Sequence, residues 1–338
     1  MGRYRLVVLS LCAPALAGCD KTVAWGEVNS IIVGASAELW EASGDAITEG
    51  LQPTIFTVRD ERTFRITHQD PLASDWGLLR EFRQVLLIGS ADDPWMAEAL
   101  EAGPGPDPRD PRKIFQLYDV WAIGQLVTVL LLAPGSEPEE AEAHVDDLLA
   151  LLDGQYRDYV HARMFVSGLD SLLADTLRAT GGFALELPVI YRWSREDSVF
   201  IFRNDNPDPS ELIREVAVTW RSPIAETPTD GDMLDWRLSL SREYYTDEQL
   251  VTEDVEPGRA VDDAAYEIHG IWESAPGAWP AAGPFLTRWK TCPAQDRVYL
   301  IDSWLYAPGR DKYEYMLQLR YILDSFECEQ TLPGGLGG

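Results

Sequence analysis

Basic residues are scarce in this chain. Its 338 residues hold 28 Lys and Arg against 56 Asp and Glu, a formal net charge of −28. A phosphate backbone is gripped by clustered Lys and Arg, so this balance excludes nucleic acid as a partner. Histidine is rarer still: His68, His144, His161 and His269 are dispersed, without the short spacing of metal ligands. They read as surface or hydrogen-bonded side chains. No apolar run approaches the ~20 residues of a membrane-spanning helix. Catalytic signatures are absent too: there is no G-x-S-x-G, H-E-x-x-H, G-x-x-x-x-G-K-[ST] or G-x-G-x-x-G. Asp230-Gly231-Asp232 with Asp235 fails the spacing of a calcium loop and suits a helix N-cap. No catalytic residue, metal or cofactor is therefore expected.

Four cysteines are present, Cys12, Cys19, Cys292 and Cys328, and the first two lie in an export signal. Arg3 and Arg5 form a basic start, and Leu6 to Leu16 is an eleven-residue apolar run. That length suits the core of a signal peptide. Leu16-Ala17-Gly18-Cys19 then resembles the lipobox of bacterial lipoproteins. The resemblance implies cleavage before Cys19, diacylglycerol on its sulfur and an acyl chain on its new amine. Loss of residues 1–18 leaves 26 basic against 56 acidic residues, a charge of −30. An anionic lipid surface repels such a protein, so the lipid at Cys19 is expected to be the membrane attachment. Asp20 to Gly26 reads as a tether reaching ~25 Å when extended. Cys292 and Cys328 remain, in an oxidising space. They are expected to pair, the alternative being two buried free thiols.

Hydrophobic residues make up 46% and aromatics 10%, enough for a sizeable core and too much for a disordered chain. Strands are expected at Val28–Gly34, Thr63–His68, Gln84–Ile88, Gln125–Leu132, Pro188–Trp193, Ser198–Arg203 and Glu215–Trp220. Three aromatic-rich strands follow at Tyr266–Trp272, Phe285–Thr291 and Arg297–Tyr306. Helices are expected after Ser36, over Leu78–Phe82, from a Ser136/Glu139 capping box to about Met164, over Leu169–Arg178 and Met233–Glu243, and from Gly309 to near Glu327. Residues 103–112, with four prolines, read as an exposed loop, and the acidic stretch 252–263 as another. Hairpins mixed with helices predict an α+β fold with antiparallel sheets and packed helices. The divisions are 1–18 signal peptide, 19–27 lipidated tether, 28–166 N-terminal α+β lobe, 167–330 C-terminal α+β lobe and 331–338 flexible tail. Ala133-Pro134-Gly135 and Ala307-Pro308-Gly309 each join a strand to a helix. They point to a duplication, or to two independent uses of one turn.

Several segments together resemble a family of uncharacterised bacterial lipoproteins, a domain of unknown function numbered forty-eight thirty-seven. The residues are Cys19, Glu38-Leu39-Trp40-Glu41, Thr63-Phe64-Arg65-Ile66, Gly270-Ile271-Trp272-Glu273, Gly283-Pro284-Phe285 and Tyr306-Ala307-Pro308. The resemblance covers nearly all of the chain after the signal. It implies a single envelope lipoprotein module and carries over no catalytic residue.

Tryptophan is abundant, twelve in all, seven of them between residues 193 and 304. Trp272, Trp289 and Trp304 sit in expected strands and read as core. Trp279 differs, because Ser274 to Pro284 also holds Pro276, Gly277, Pro280 and Gly283. A proline-stiffened loop offers a flat apolar ring at little ordering cost. Trp279, with Trp272 and Phe285 beside it, is the candidate partner-binding group; the alternative is that Trp279 plugs a gap in the core. The expected function is a non-enzymatic envelope lipoprotein that binds an envelope protein or a glycan. The alternative is an extracytoplasmic hydrolase of carbohydrate or peptide, which a carboxylate of raised pKa in a cleft beside Trp279 would favour.

Overall fold

The computed structural model describes residues 21–102, 113–224 and 228–330. The expected signal peptide with Cys19, the whole proline-rich stretch 103–112 and the tail 331–338 fall outside the described residues. In chain order the elements of the first half are β1 (Ser30–Gly34), α1 (Ala37–Leu51), β2 (Thr54–Ile55), β3 (Glu61–Arg62), β4 (Arg65–Gln69), α2 (Trp76–Leu79), β5 (Gln84–Ser90), α3 (Pro94–Ala102), β6 (Ile114–Tyr118) and β7 (Leu126–Leu132). A 3-10 turn, Pro138–His144, leads to α4 (Val145–Met164) and α5 (Ser171–Gly181). Then come β8 (Phe183–Ala184), β9 (Arg192–Glu196), β10 (Val199–Asn204), β11 (Ile213–Arg221), α6 (Asp230–Tyr244), β12 (Gln249–Val255) and β13 (Arg259–Asp262). The chain ends through β14 (Ala265–Ser274), β15 (Ala282–Cys292), β16 (Arg297–Tyr306), α7 (Tyr313–Asp324) and β17 (Glu327–Cys328). The fold is α+β.

Two compact units divide the chain. The first takes residues through Ile47 together with Ile66–His144; the second takes Thr48–Arg65 and everything from Val145. Helix α4, assigned with residues 28–166 to the first lobe on sequence, thus belongs to the second unit. The first unit holds a five-stranded sheet in the order β4-β1-β5-β7-β6. Here the expected antiparallel arrangement is only partly met: β1 and β7 flank β5 in parallel, and β6 alone of these pairs antiparallel to β7. The cause lies in the strands themselves. VLLIG of β5 and VTVLL of β7 are nearly continuous apolar runs, buried on both faces, as central parallel strands require.

The tether is shorter than its seven extended residues implied. Backbone bonds join Ile123 N to Thr22 O (2.8 Å), Ala24 N to Ile123 O (2.9 Å) and Arg83 N to Trp25 O (2.7 Å). Apolar side chains drive this docking: Ala24 is buried and Trp25 packs edge-on against Phe82 at 4.2 Å.

The second unit is built on an antiparallel eight-stranded sheet, β12-β14-β15-β16-β11-β10-β9, with β13 beside β14. Alternation along the strands splits its side chains between two cores. Phe200, Phe202, Val216, Val218, Tyr299 and Ile301 meet Leu173 and Leu177 of α5 and Leu319 and Ile322 of α7. Val199, Ala217, Trp289, Leu300 and Trp304 meet Met233, Trp236 and Leu240 of α6. Helix α6 starts with a capping box in which Thr229 and Asp232 exchange side-chain and backbone bonds.

Several expectations are corrected. Residues 252–263 are mostly strand: β12 and β13 lie at the sheet margin, where acidic side chains such as Glu253 and Asp254 point to solvent and discourage further pairing. The hairpin arm expected at Pro188–Trp193 runs instead over β9, and the chain reverses at Asp197, whose φ is +51°. The helix expected from Ser136 opens as the 3-10 turn. The two sheets differ in strand number and direction, so the Ala-Pro-Gly turns are not the mark of a shared topology. They are one local solution used twice: Gly135 and Gly309 both take left-handed φ, +74° and +72°.

Candidate ligand-binding cleft

The hairpin between β14 and β15 places the tryptophan singled out on sequence. Ser274 N donates to Ala281 O (2.9 Å), and Ala281 N returns a bond to Ser274 Oγ (3.1 Å), closing the loop. Pro276 and Pro280 stiffen it, and Gly277 supplies the left-handed turn at φ +92°. Trp279 stands out from this loop with 82% of its surface exposed. It borders a cleft of about 370 Å³ whose other walls are Trp272, Trp304, Tyr306, Ile213 and Arg203. The other polar residues of its lining are Ser210, Thr246, Asp247, Ser274 and the buried Gln249.

The floor is rigid. Trp272 and Trp304 are buried and meet edge to face, ring centroids 5.3 Å apart. Each indole N–H is anchored: Trp272 Nε1 donates to Leu305 O (3.3 Å) and Trp304 Nε1 to Glu215 Oε1 (3.2 Å). A glycine is essential beside them, because a Cβ at Gly283 would lie 1.8 Å from the Leu305 carbonyl oxygen. On sequence the proline-stiffened loop extends to Pro284, but the structure ends it sooner. Pro284 lies in β15 opposite Ile271 of β14, and pairing with β16 begins only at Phe285. The missing N–H falls where the second ladder has ended.

Behind the aromatic floor sits a carboxylate of altered acidity. Glu215 is buried, and burial pushes its pKa up to about 7 against the opposing pull of Arg203. Arg203 Nη1 donates to Glu215 Oε2 at 3.0 Å and its Nε to Asp205 Oδ2 at 3.4 Å. Glu215 does not line the cleft; Arg203 and Trp304 stand between. Of the cleft-lining residues only Asp247 carries a carboxylate.

The three partner-binding candidates separate. Trp279 is at the surface and Trp272 forms the floor. Phe285 is fully buried under the Arg237 guanidinium, 4.0 Å from its ring centroid, and presents no surface to a partner. Arg237 is itself fully buried; its Nε donates to Asp302 Oδ1 (3.1 Å) and its Nη2 to Gln249 Oε1 (2.6 Å), and Tyr245 donates to the other Asp302 oxygen (2.5 Å). This network fastens α6 to the sheet. Sequence reading missed Arg203, Trp304 and Tyr306 as cleft residues, since they come from strands distant in the chain.

Cys292 and Cys328 are joined by a disulfide, with Cα atoms 5.9 Å apart. Among the histidines, His68 stacks on Trp40 with ring centroids 4.4 Å apart, and His269 lies 3.0 Å from Arg320 Nη2. Beside it Glu267 collects Arg259, Arg288 and Arg320. Burial opposes its charge, but hydrogen bonds from His269, Arg288 and Arg259 outweigh burial and hold its pKa well below the usual carboxylate range. Among the described residues, no group of three or more His, Cys, Asp or Glu is arranged to hold a metal, and no helix is long and apolar enough to cross a membrane.

Comparison with known proteins bears out the family resemblance over part of the chain. Residues 171–325 match the family described as Domain of unknown function (DUF4837). The matched span lies within the second unit and carries the whole cleft; Glu38–Glu41 and Thr63–Ile66 lie outside it. No curated protein matches the chain. Among solved structures, cyanobacterial PsbP (CyanoP) from Synechocystis sp. PCC 6803 is similar at 13% identity, covering 44% of this chain and 87% of that one, with a TM-score of 0.30. The Ran-binding protein Mog1p of Saccharomyces cerevisiae is similar at 10% identity, covering 45% and 92%, with a TM-score of 0.30. Human STARD10 is similar at 9% identity, covering 46% and 74%, with a TM-score of 0.23. Scores this low carry nothing about activity.

Proposed function

We propose that this chain is an exported lipoprotein of the cell envelope, anchored through Cys19, whose second unit binds a glycan segment in the aromatic cleft without acting on it chemically. The observation that carries the reading is Trp279, a large exposed ring that lines one cleft with two buried ones. A saccharide has apolar C–H faces that suit aromatic rings, and hydroxyls that suit neutral polar groups such as Ser210, Thr246 and Ser274. Arg203 is occupied by Glu215 and Asp205, so the cleft offers no free cation to select an acidic ligand. A hydrolase acting here would need two carboxylates facing the bond to be cut. The cleft has Asp247 alone, and Glu215 is shielded.

The test is titration of the purified protein with peptidoglycan fragments and other envelope oligosaccharides, followed by tryptophan fluorescence. Saturable quenching that disappears in Trp279→Ala supports the reading. No response to any saccharide, or an unchanged response in Trp279→Ala, overturns it; hydrolysis of the titrant favours the hydrolase instead.

A further inference from the structure

A second cavity lies against the opposite face of the same sheet end. Its volume is about 430 Å³, and its walls include Tyr191, Asn204 and Arg214. Asn204 and Arg214 are cross-strand partners on β10 and β11, and neighbouring Arg203 and Ile213 turn to the aromatic cleft. All three side chains are at least nine-tenths buried, at 5%, 1% and 9% exposure. Each carries a buried polar atom with no hydrogen-bond partner: Tyr191 Oη, Asn204 Nδ2 and Arg214 Nε. An orphaned buried polar atom is costly, and the three residues that carry these atoms line one cavity.

We propose that this cavity binds the carboxylate of a small organic acid. Nδ2 and Nε are donors only. Burial pushes the Tyr191 phenol up to about 12, so it too keeps its proton near neutral pH. Three donors ask for an acceptor-rich group. The charge count selects a monoanion. Arg214 is the buried cation of the cavity, and its other nitrogens are held by Gln318 Oε1 (2.7 Å) and Asn206 O (3.3 Å). The remaining two arginines of the wall are already matched, Arg163 by Glu314 at 3.4 Å and Arg310 by Glu211. One carboxylate balances Arg214, and a dianionic phosphate would leave a buried charge uncompensated. Pro188, Ile190 and Leu212 in the wall suit an apolar body attached to that carboxylate. Nothing in this reading depends on the aromatic cleft.

Calorimetry and thermal melting with four probes test it: benzoate for free acids, N-acetylphenylalanine for a peptide C-terminus, and benzamide and inorganic phosphate as controls. A carboxylate should bind saturably and raise the melting temperature, with both controls at least ~10-fold weaker; whichever carboxylate binds tighter assigns the source. Two variants separate binding from folding. Tyr191→Phe removes only an unpartnered hydroxyl, so it should melt no lower than the parent and bind the carboxylate more weakly. Asn204→Asp keeps the oxygen that accepts from Asn206 and places a carboxylate beside Arg214, so it should melt higher and lose binding. The proposal falls if neither carboxylate saturates, if a control binds as tightly, or if both variants bind like the parent.

Discussion

At the scale of single residues, exposure and burial set opposite expectations for neighbouring aromatic side chains. Trp279 touches little of its own protein, so Trp279→Ala should change folding stability by no more than about 0.5 kcal/mol while abolishing the saccharide response. Trp272→Ala opens the floor between Trp304 and Leu305 and should cost roughly 3–5 kcal/mol. Comparing the two by denaturant titration separates a binding ring from a packing ring. A large destabilisation by Trp279→Ala would make the hairpin loop structural. Glu215 gives a pH signature. Its folded pKa of about 7 lies above the ordinary 4.5, so between those values the folded state holds the proton that the unfolded state has lost. Stability should therefore fall as pH rises from about 4.5 to about 7 and level off beyond. The shift corresponds to at most about 3 kcal/mol. Glu215→Gln keeps an acceptor for Trp304 and Arg203, so it should flatten this slope and stabilise the protein at pH 8. A slope that persists in the variant would assign it to other groups.

At the scale of elements, the disulfide ties the β15–β16 turn to β17, which pairs with β8 beside the end of α5. Closing a loop of sequence separation 36 stabilises by roughly 3–4 kcal/mol in the chain-entropy picture. A Cys292→Ser, Cys328→Ser double variant should lose that much in urea unfolding, and reductant should no longer affect its midpoint; a variant as stable as the parent would mean the cross-link constrains little. The same region shows what the sequence makes legible. Cysteine count and the expected export point to the pair, and β-branched runs such as SIIVG and EVAVTW mark β1 and β11. What stayed hidden depends on long-range pairing. Strands β12 and β13 carry acids because they lie at a margin, and those acids resemble a loop. Parallel pairing of β1, β5 and β7 follows from burial on both faces, which an apolar run shares with a buried helix. Trp279 was legible because Pro276, Gly277 and Pro280 keep its loop out of a regular strand. The cavity at Tyr191, Asn204 and Arg214 was not, since three polar residues on separate segments become a set only when alternate faces of the sheet are assigned.

At the scale of the whole molecule, the proposed anchor and the charge make a joint prediction. After cleavage before Cys19 the chain carries −30, and an anionic leaflet repels it. Retention then rests on acyl chains, whose burial is indifferent to ionic strength, and not on ion pairs, which salt screens within about 10 Å at 0.1 M. The lipidated protein should stay with membranes through a high-salt wash and leave only with detergent. The docking of Thr22 to Trp25 sharpens the picture, since only two residues, Asp20 and Lys21, separate Cys19 from the first paired backbone group at Thr22, a reach of roughly 10 Å. With the proposed anchor, so short a link would hold the folded chain against the headgroups in spite of its charge, a cost that two or more acyl chains would outweigh and one alone would not. Cys19→Ala removes the acceptor of the diacylglycerol and should appear in the soluble fraction, unlabelled by a fatty-acid analogue. If that variant sediments with membranes, keeps the label and resists salt as the parent does, the attachment lies elsewhere in the chain and the lipobox reading is wrong.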